Sequence, residues 1–129
     1  MSVSAVDLAR AFVEAINRGD VDGLTGLMTE RHRFTDSLGN VVTGRETMRE
    51  GWRGYFRMVP DYRLEIAETL ADDAVVVMLG VAGGTYAPAG ERWTTPSVVR
   101  ARVEDGLVAE WQVFADNEPI RRLMRGERS

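Results

Sequence analysis

The residues best suited to chemistry lie at positions 32–44, which are predicted to form a strand, a turn and a second extended piece. Along the first strand His32, Phe34 and Asp36 occupy alternate positions, so their side chains point to one face. If the Phe34 face is the interior, the only histidine of the chain and a carboxylate lie inside with it. A buried charge needs a partner or a function. The pattern therefore indicates where chemistry could take place, without defining the reaction.

Asp36 has two interpretations. In the functional one, an apolar pocket wall solvates the carboxylate poorly and raises its pKa, so that it can abstract a proton next to a carbonyl. In the structural one, Asp36 starts a turn and accepts hydrogen bonds from the backbone amides of the Leu38-Gly39-Asn40 segment. The sequence leaves both interpretations open.

His32 also has two interpretations. It could share a proton with Asp36 or hold a ligand, but Cα atoms four residues apart in a strand are about 13 Å apart, so contact requires strong curvature or a bridging ligand. Alternatively, it is a half-buried histidine at the start of the strand. With one histidine and no cysteine, a transition-metal site is not expected. No cofactor is expected either.

The order of predicted elements favours an α+β fold, with helices first and an antiparallel meander last. Apolar periodicity and end signals predict helices over residues 4–18, 20–28 and 45–58 and a short one after residue 117. Alternation and turn residues predict strands over residues 62–70, 74–86, 93–103 and 107–115. Asp105-Gly106 is a strong hairpin signal, and Gly83-Gly84 indicates a bend or bulge.

The third predicted helix carries an aromatic stripe. Met48, Trp52, Tyr55 and Phe56 are spaced so that they share one face. Such a stripe is either plain core or, where the helix roofs a pocket, the wall of that pocket. The buried Tyr55 hydroxyl would need a partner.

Residues 75–82 are apolar at consecutive positions, whereas a sheet with one wet face should alternate. The helices can cover only one face of this strand. The pattern therefore predicts a homodimer through the outer sheet face. The alternative is a strand buried on both faces within one chain.

Composition excludes several classes of protein. A chain of 129 residues suits one domain, over residues 1–129. A net charge of −4 with interspersed signs argues against nucleic acid as a partner. No window is apolar enough for a membrane span, the first ten residues do not resemble a signal peptide, and no cysteine is present. A cytoplasmic protein without membrane contact is expected.

Several motifs together resemble the nuclear-transport-factor-two-like superfamily, and most closely its SnoaL-like branch, the polyketide cyclase-like proteins. The motifs are N-x-G-D after the first helix and D-G-x-x-x-E-W on the last hairpin, within matching segments at 16–28, 34–40, 44–48, 58–62 and 103–116. The resemblance implies a cone-shaped, curved, mostly antiparallel sheet wrapped around the N-terminal helices, a cystatin-like or SnoaL-like α+β barrel. It also implies an apolar pocket at the open end of the cone.

The resemblance to ketosteroid isomerases places their general base at Asp36. Their two oxyanion donors correspond to Phe12 and Val99, and neither side chain can donate a hydrogen bond. Loss of one such donor costs about a hundredfold or more in rate. The epoxide hydrolases of the superfamily need carboxylates where this chain has Arg100-Ala101-Arg102 and Val113. Neither ketosteroid isomerase activity nor epoxide hydrolase activity is therefore expected.

The SnoaL-like interpretation remains, with Asp36, His32 and Asp116 as the catalytic candidates. Cyclases use an aspartate from the last strand, which resembles Asp116. Counting by twos from Trp111 places Asp116 on the opposite face, however, where it could simply cap the final helix. The expected ligand-binding residues are apolar or aromatic: Phe12, Phe34, Trp52, Tyr55, Phe56, Trp93, Val99, Trp111 and Val113.

Two functions follow from these observations and from the resemblance. The first is a small acid/base enzyme, a cyclase or isomerase, acting on a hydrophobic carbonyl-containing ligand with Asp36 as base. The second is a non-catalytic ligand-binding or dimerisation module of the same fold. Both take a small hydrophobic ligand, and the sequence does not specify which one.

Overall fold

The computed structural model describes residues 4–127, which form four helices and one six-stranded sheet. The elements in chain order are α1 (Ala5–Arg18), α2 (Val21–Gly26), β1 (Met28–Thr35), β2 (Val41–Thr43), α3 (Arg45–Met58), β3 (Arg63–Asp72), β4 (Val75–Tyr86), β5 (Glu91–Glu104), β6 (Leu107–Ala115) and α4 (Glu118–Met124). The α+β class is confirmed. The largest boundary difference is at β1, which begins four residues before His32 and shortens α2, while β3 and β5 differ by one or two residues at their ends.

The first two helices begin and end where their capping residues lie. Ser4 Oγ accepts a hydrogen bond from the Asp7 amide at 3.1 Å, which satisfies one of the free amides at the start of α1. Gly19 ends α1 with φ of 62°, a conformation that glycine adopts without strain. Asp20 then accepts a hydrogen bond from the Gly23 amide at 2.9 Å and caps α2. Both side-chain caps join residues three positions apart, which is why the sequence alone could predict them.

The strands lie in the order β2-β1-β6-β5-β4-β3. The β1–β6 pair is parallel and all the other pairs are antiparallel. The order leaves β2 and β3 as two edges, so the curved sheet is mixed and does not close into a barrel. The β5–β6 hairpin turns at Asp105 and Gly106, with φ of 51° and 74°, as the Asp-Gly signal predicted.

The bulge expected at Gly83-Gly84 lies elsewhere. Pairing between β4 and β5 continues through both glycines without a register shift, whereas β3 carries an extra residue at Ala67. The glycines instead allow close approach, because a Cβ on Gly84 would lie 2.5 Å from Val59 Cγ1. A Cβ on Gly80 would overlap the Glu65 carbonyl oxygen beside the bulge.

The main core lies between α1 and the inner face of the sheet. Phe12, Ile16, Met78 and Trp111 are each at most 1% exposed there. A smaller cluster forms where α4 packs on the sheet, with Val59, Trp93, Ile120 and Leu123. None of the helices within residues 4–127 has the length and apolar character needed to cross a membrane.

The outer face of the sheet is open in the single chain. Register pairs Leu79 with Val98 and Val98 with Phe114, so these apolar side chains form one row across three strands. Val81 remains 46% exposed and Phe114 50% exposed. The alternative that one chain buries both faces of β4 is therefore wrong.

Candidate functional site

A small hollow lies between α3 and the inner faces of β4, β5 and β6, and we call it the cone cavity. Its volume is about 100 Å³. The residues that line it are Asp36, Ser37, Trp52, Tyr55, Tyr62, Ala82, Ser97, Val113, Ala115 and Asn117. Larger grooves of about 480 and 570 Å³ lie elsewhere, under α4 and beside α1, but charged surface side chains rim both. The cone cavity alone among these joins inward-facing sheet residues to the aromatic stripe of α3.

Two buried polar groups of the cavity lining have no hydrogen-bond partner among the described residues. They are Trp52 Nε1 and Ser97 Oγ, on side chains that are 7% and 3% exposed. An unpaired buried donor costs about 1–3 kcal/mol relative to one that is hydrogen-bonded. A ligand or water that accepts from these groups would recover that free energy.

Tyr55 and Tyr62 bring two phenol groups to the same lining. Burial raises the pKa of Tyr62 to about 12. Burial, together with the neighbouring Tyr62, raises the pKa of Tyr55 still further. Both hydroxyls therefore stay protonated at neutral pH and are available as hydrogen-bond donors.

Asp36 lines the cavity, but its carboxylate serves the turn that follows β1. Oδ1 accepts from the amides of Leu38 and Asn40, both at 2.9 Å, and Oδ2 accepts from Asn40 Nδ2 at 3.1 Å. Burial acts to raise the pKa of Asp36, but the hydrogen bonds to Asn40, Leu38 and Gly39 outweigh it and hold the pKa below its usual value. The expected rise in pKa is therefore wrong. Whether the carboxylate acts on a substrate stays a prediction.

His32 lies in the core and does not line the cone cavity. Its side chain is 0% exposed and its ring stacks on Phe12 with centroids 5.9 Å apart. Nδ1 lies 2.7 Å from the Val108 carbonyl oxygen, which can only accept, so Nδ1 carries the proton and Nε2 has no partner. The expectation that His32 and Asp36 open onto one hollow is wrong, because the two residues lie four positions apart along the chain and the imidazole is enclosed by Phe12 and the Val108 carbonyl.

Asp116 and Trp93 also lie outside the cone cavity. The Asp116 side chain is 78% exposed, and its Oδ1 accepts from the Glu118 amide at 3.0 Å at the start of α4. This geometry matches the capping alternative. Trp93 is buried beneath α4 with Leu123 and borders the groove on that side. Their predicted roles in catalysis and ligand binding have no support from their positions.

The remaining predicted ligand-binding residues divide between core and cavity. Trp52, Tyr55 and Val113 line the cavity. Phe34 and Phe56 pack around Trp52, with ring centroids 6.2 and 5.4 Å from it. The others belong to the core and do not reach the lining: Phe12, Val99 and Trp111.

Sequence reasoning missed three informative lining residues. Ser97 is a polar residue on the inward-facing side of β5, and its side chain lines the hollow. The alternation of residues along β5 could have predicted this position from the sequence. Tyr62 follows the turn after α3, and Asn117 follows β6 and donates to Ser37 Oγ at 3.1 Å. No periodic signal marks these two positions. Residues 4–127 contain no group of three or more His, Asp or Glu side chains that could hold a metal ion.

The family comparison identifies one domain over most of the chain. The model of the SnoaL-like domain family matches residues 9–111. A search of curated proteins finds no match to this chain.

Solved structures of several bacterial proteins share the fold. A provisionally assigned polyketide cyclase from Xanthomonas campestris pv. campestris is 21% identical, with a TM-score of 0.83 over 90% of this chain and 93% of that one. A cystatin-fold protein from Novosphingobium aromaticivorans is 24% identical, with a TM-score of 0.77 over 88% and 99%. A protein with a ketosteroid isomerase-like fold from Catenulispora acidiphila is 18% identical, with a TM-score of 0.77 over 84% of each chain. At these identities the likeness concerns the fold.

Proposed function

Because the chain belongs to the SnoaL-like domain family, we propose that it binds a small molecule in the cone cavity. This membership confirms the resemblance predicted from the motifs. The observation that carries the proposal is the pair of buried, unpartnered groups on Trp52 and Ser97 in the lining of a hollow. Ligand sites are typically mostly apolar with a few placed polar groups.

The polar groups of the lining favour a ligand that presents an oxygen acceptor, such as a carbonyl. Trp52 Nε1 can only donate a hydrogen bond, and the Ser97 hydroxyl can donate or accept. The relative from Catenulispora acidiphila was solved in complex with trimethylamine, so a chain of this fold accepts a very small ligand. A volume of about 100 Å³ favours ligands of similar size or a small group of a larger one.

The test is a titration with cyclohexanone, followed through the indole N–H signals in a ¹H–¹⁵N NMR spectrum. Binding should shift the Trp52 signal and leave that of Trp93, which lies beneath α4, nearly unchanged. Ala115→Leu should abolish the shift because the added side chain fills the cavity. Ala71→Leu, at an exposed position of β3, is the matched control. If no ketone of this size shifts Trp52, the preference for a carbonyl fails, and if Ala115→Leu binds as well as wild type, the cone cavity is not the binding site.

A second candidate function is acid/base catalysis with Asp36 as base, and the observation that favours it is that Asp36 lines the cavity. The reaction would remove a proton from the carbon next to a carbonyl and later return one. In D₂O this chemistry exchanges the α-protons of cyclohexanone for deuterium. Wild-type protein should accelerate the exchange, and Asp36→Asn should lose the acceleration while still binding the ketone. If wild type does not accelerate exchange, the binding function stands alone.

The proposal includes a homodimer through the outer sheet face. The support is the row of Leu79, Val98 and Phe114, in which Leu79 and Val98 are half-buried and Phe114 is 50% exposed in the single chain. A second copy would present the same row and cover it. A dimer of this kind would leave the cone cavity, on the inner face, open to ligand in each subunit.

A further inference from the structure

The charged side chains that line the cone cavity are all negative. Asp36 is the only ionisable carboxylate of the lining, and no arginine or histidine lines it. Among the described residues Asp36 takes part in no ion pair, whereas Asp116 and Asp61 each lie within 4.0 Å of an arginine. Its hydrogen bonds come from neutral amides, which stabilise the carboxylate without cancelling its charge. The hollow is therefore a site of uncompensated negative charge.

Three aromatic rings stand beside this charge. Trp52 and Tyr55 meet at an interplanar angle of 88° with centroids 6.2 Å apart, and Tyr55 and Tyr62 meet at 87° with centroids 5.0 Å apart. All three side chains line the hollow. An aromatic ring attracts a cation that lies over its face within about 6 Å, and several rings together form the cages that recognise alkylammonium groups.

From these observations we propose that the cone cavity recognises a compact alkylammonium group, held against Trp52, Tyr55 and Tyr62 and balanced by the Asp36 carboxylate. The inference rests on the proposed binding function and specifies its ligand class. An anionic ligand would be repelled by the Asp36 carboxylate, which no arginine or histidine of the lining offsets. A divalent metal ion would find one carboxylate where it needs several oxygen ligands. An alkylammonium group matches both the charge and the apolar lining.

The test compares choline with 3,3-dimethyl-1-butanol, which has the same shape with carbon in place of the charged nitrogen. Each compound is titrated into the full-length protein, and binding is followed through the Trp52 indole signal. Choline should bind about tenfold more tightly than the neutral alcohol, since a cage and a carboxylate favour only the cation. The preference should weaken as salt is added, because part of it is electrostatic.

Variants test which residues cause the preference for choline. Asp36→Asn keeps an oxygen acceptor for the turn and should reduce the preference for choline over the alcohol several-fold. Asp20→Asn makes the same change at the distant cap of α2 and should leave the preference intact. Tyr62→Leu should reduce the preference for choline. Tyr62→Phe keeps the aromatic ring and should bind choline with the same preference as wild type.

Each outcome supports or overturns the inference. Equal affinities, or tighter binding of the alcohol, would overturn cation recognition while leaving small-molecule binding in place. A preference that survives both Asp36→Asn and Tyr62→Leu would place the cation elsewhere and also overturn it. If neither compound nor cyclohexanone shifts Trp52, both the inference and the proposed function fail. Because Asp36→Asn barely changes the side-chain volume and Tyr62→Phe keeps the ring, the test does not rest on Tyr62→Leu alone.

Discussion

His32 shows how burial determines the state of a single residue. Burial lowers the pKa of His32, although the hydrogen bond to Val108 and the negative charge of Glu110 act in the opposite direction. The neutral ring donates from Nδ1 and leaves Nε2 unpaired in the core. A proton added to Nε2 would create a buried N–H with no hydrogen-bond acceptor among the described residues. His32 therefore makes folding sensitive to mild acid.

The first prediction concerns stability between pH 5.5 and 6.5. Above the ordinary histidine pKa of 6.5, the ring is neutral in both folded and unfolded chains and adds no pH dependence. Below it the unfolded chain binds a proton that the folded chain does not, so the free energy of unfolding falls by up to about 1.4 kcal/mol per pH unit. Urea unfolding should show this slope for wild type and a flatter one for His32→Gln.

The single histidine makes this measurement selective, because ordinary carboxylates titrate at lower pH. Asp20→Asn should keep the wild-type slope. If His32→Gln also keeps it, His32 is not the group that responds to acid.

At the scale of elements, the contact between β3 and β4 depends on one glycine. Ala67 is the extra residue of the β3 bulge, and Gly80 lies opposite on β4. A Cβ at Gly80 would overlap the Glu65 carbonyl oxygen. That oxygen is backbone and cannot rotate away as a side chain would. The bulge and the glycine therefore form one structural unit.

The second prediction is that Gly80→Ala destabilises the protein by about 1–3 kcal/mol, the usual cost of overpacking. Gly26→Ala is the control, since a Cβ there meets no atom within 4 Å and lies at the end of α2. That change should be neutral or slightly stabilising. Denaturant midpoints compare the two variants, and a Gly80→Ala midpoint no lower than that of Gly26→Ala would contradict the role of this contact.

At the scale of the whole molecule, the two faces of the sheet differ in how far the chain covers them. Helices α1 and α3 cover the inner face, whereas the outer face carries the apolar row of Leu79, Val98 and Phe114 next to the polar pair of Arg100 and Glu110. Monomeric proteins rarely leave a large contiguous apolar patch uncovered. A stable interface buries about 1,000 Å² or more, and a sheet face of this length is suited to that.

The third prediction is that the protein sediments at twice its monomer mass of 14.3 kDa. Phe114→Glu should shift it to the monomer, because two copies would then bring like charges together in an apolar interface. Leu38→Glu changes an equally apolar side chain that is 67% exposed on the β1–β2 turn, and should leave the dimer intact. Sedimentation of wild type as a monomer at micromolar concentration would refute the assembly.

The sequence by itself determined the elements and the alternation of the strands. Capping, the Asp-Gly turn and apolar periodicity each depend on residues that are close together in the chain. The roles of Ser4, Gly19 and Asp105 could therefore be predicted without knowledge of tertiary contacts. The same local rule placed Trp111 and Val113 on the inner face and Phe114 on the outer one.

Only the tertiary structure decided which of the candidate site residues lie close together in one cavity. Packing against Phe12 and Val108 encloses His32 in the core, whereas Asp36, at the end of the same strand, lies beside the cavity. Tyr62, Ser97 and Asn117 join the lining from three different segments. Distances between segments depend on strand register and sheet curvature. Those are set by packing over the whole chain, so residue types and spacings alone could not specify them.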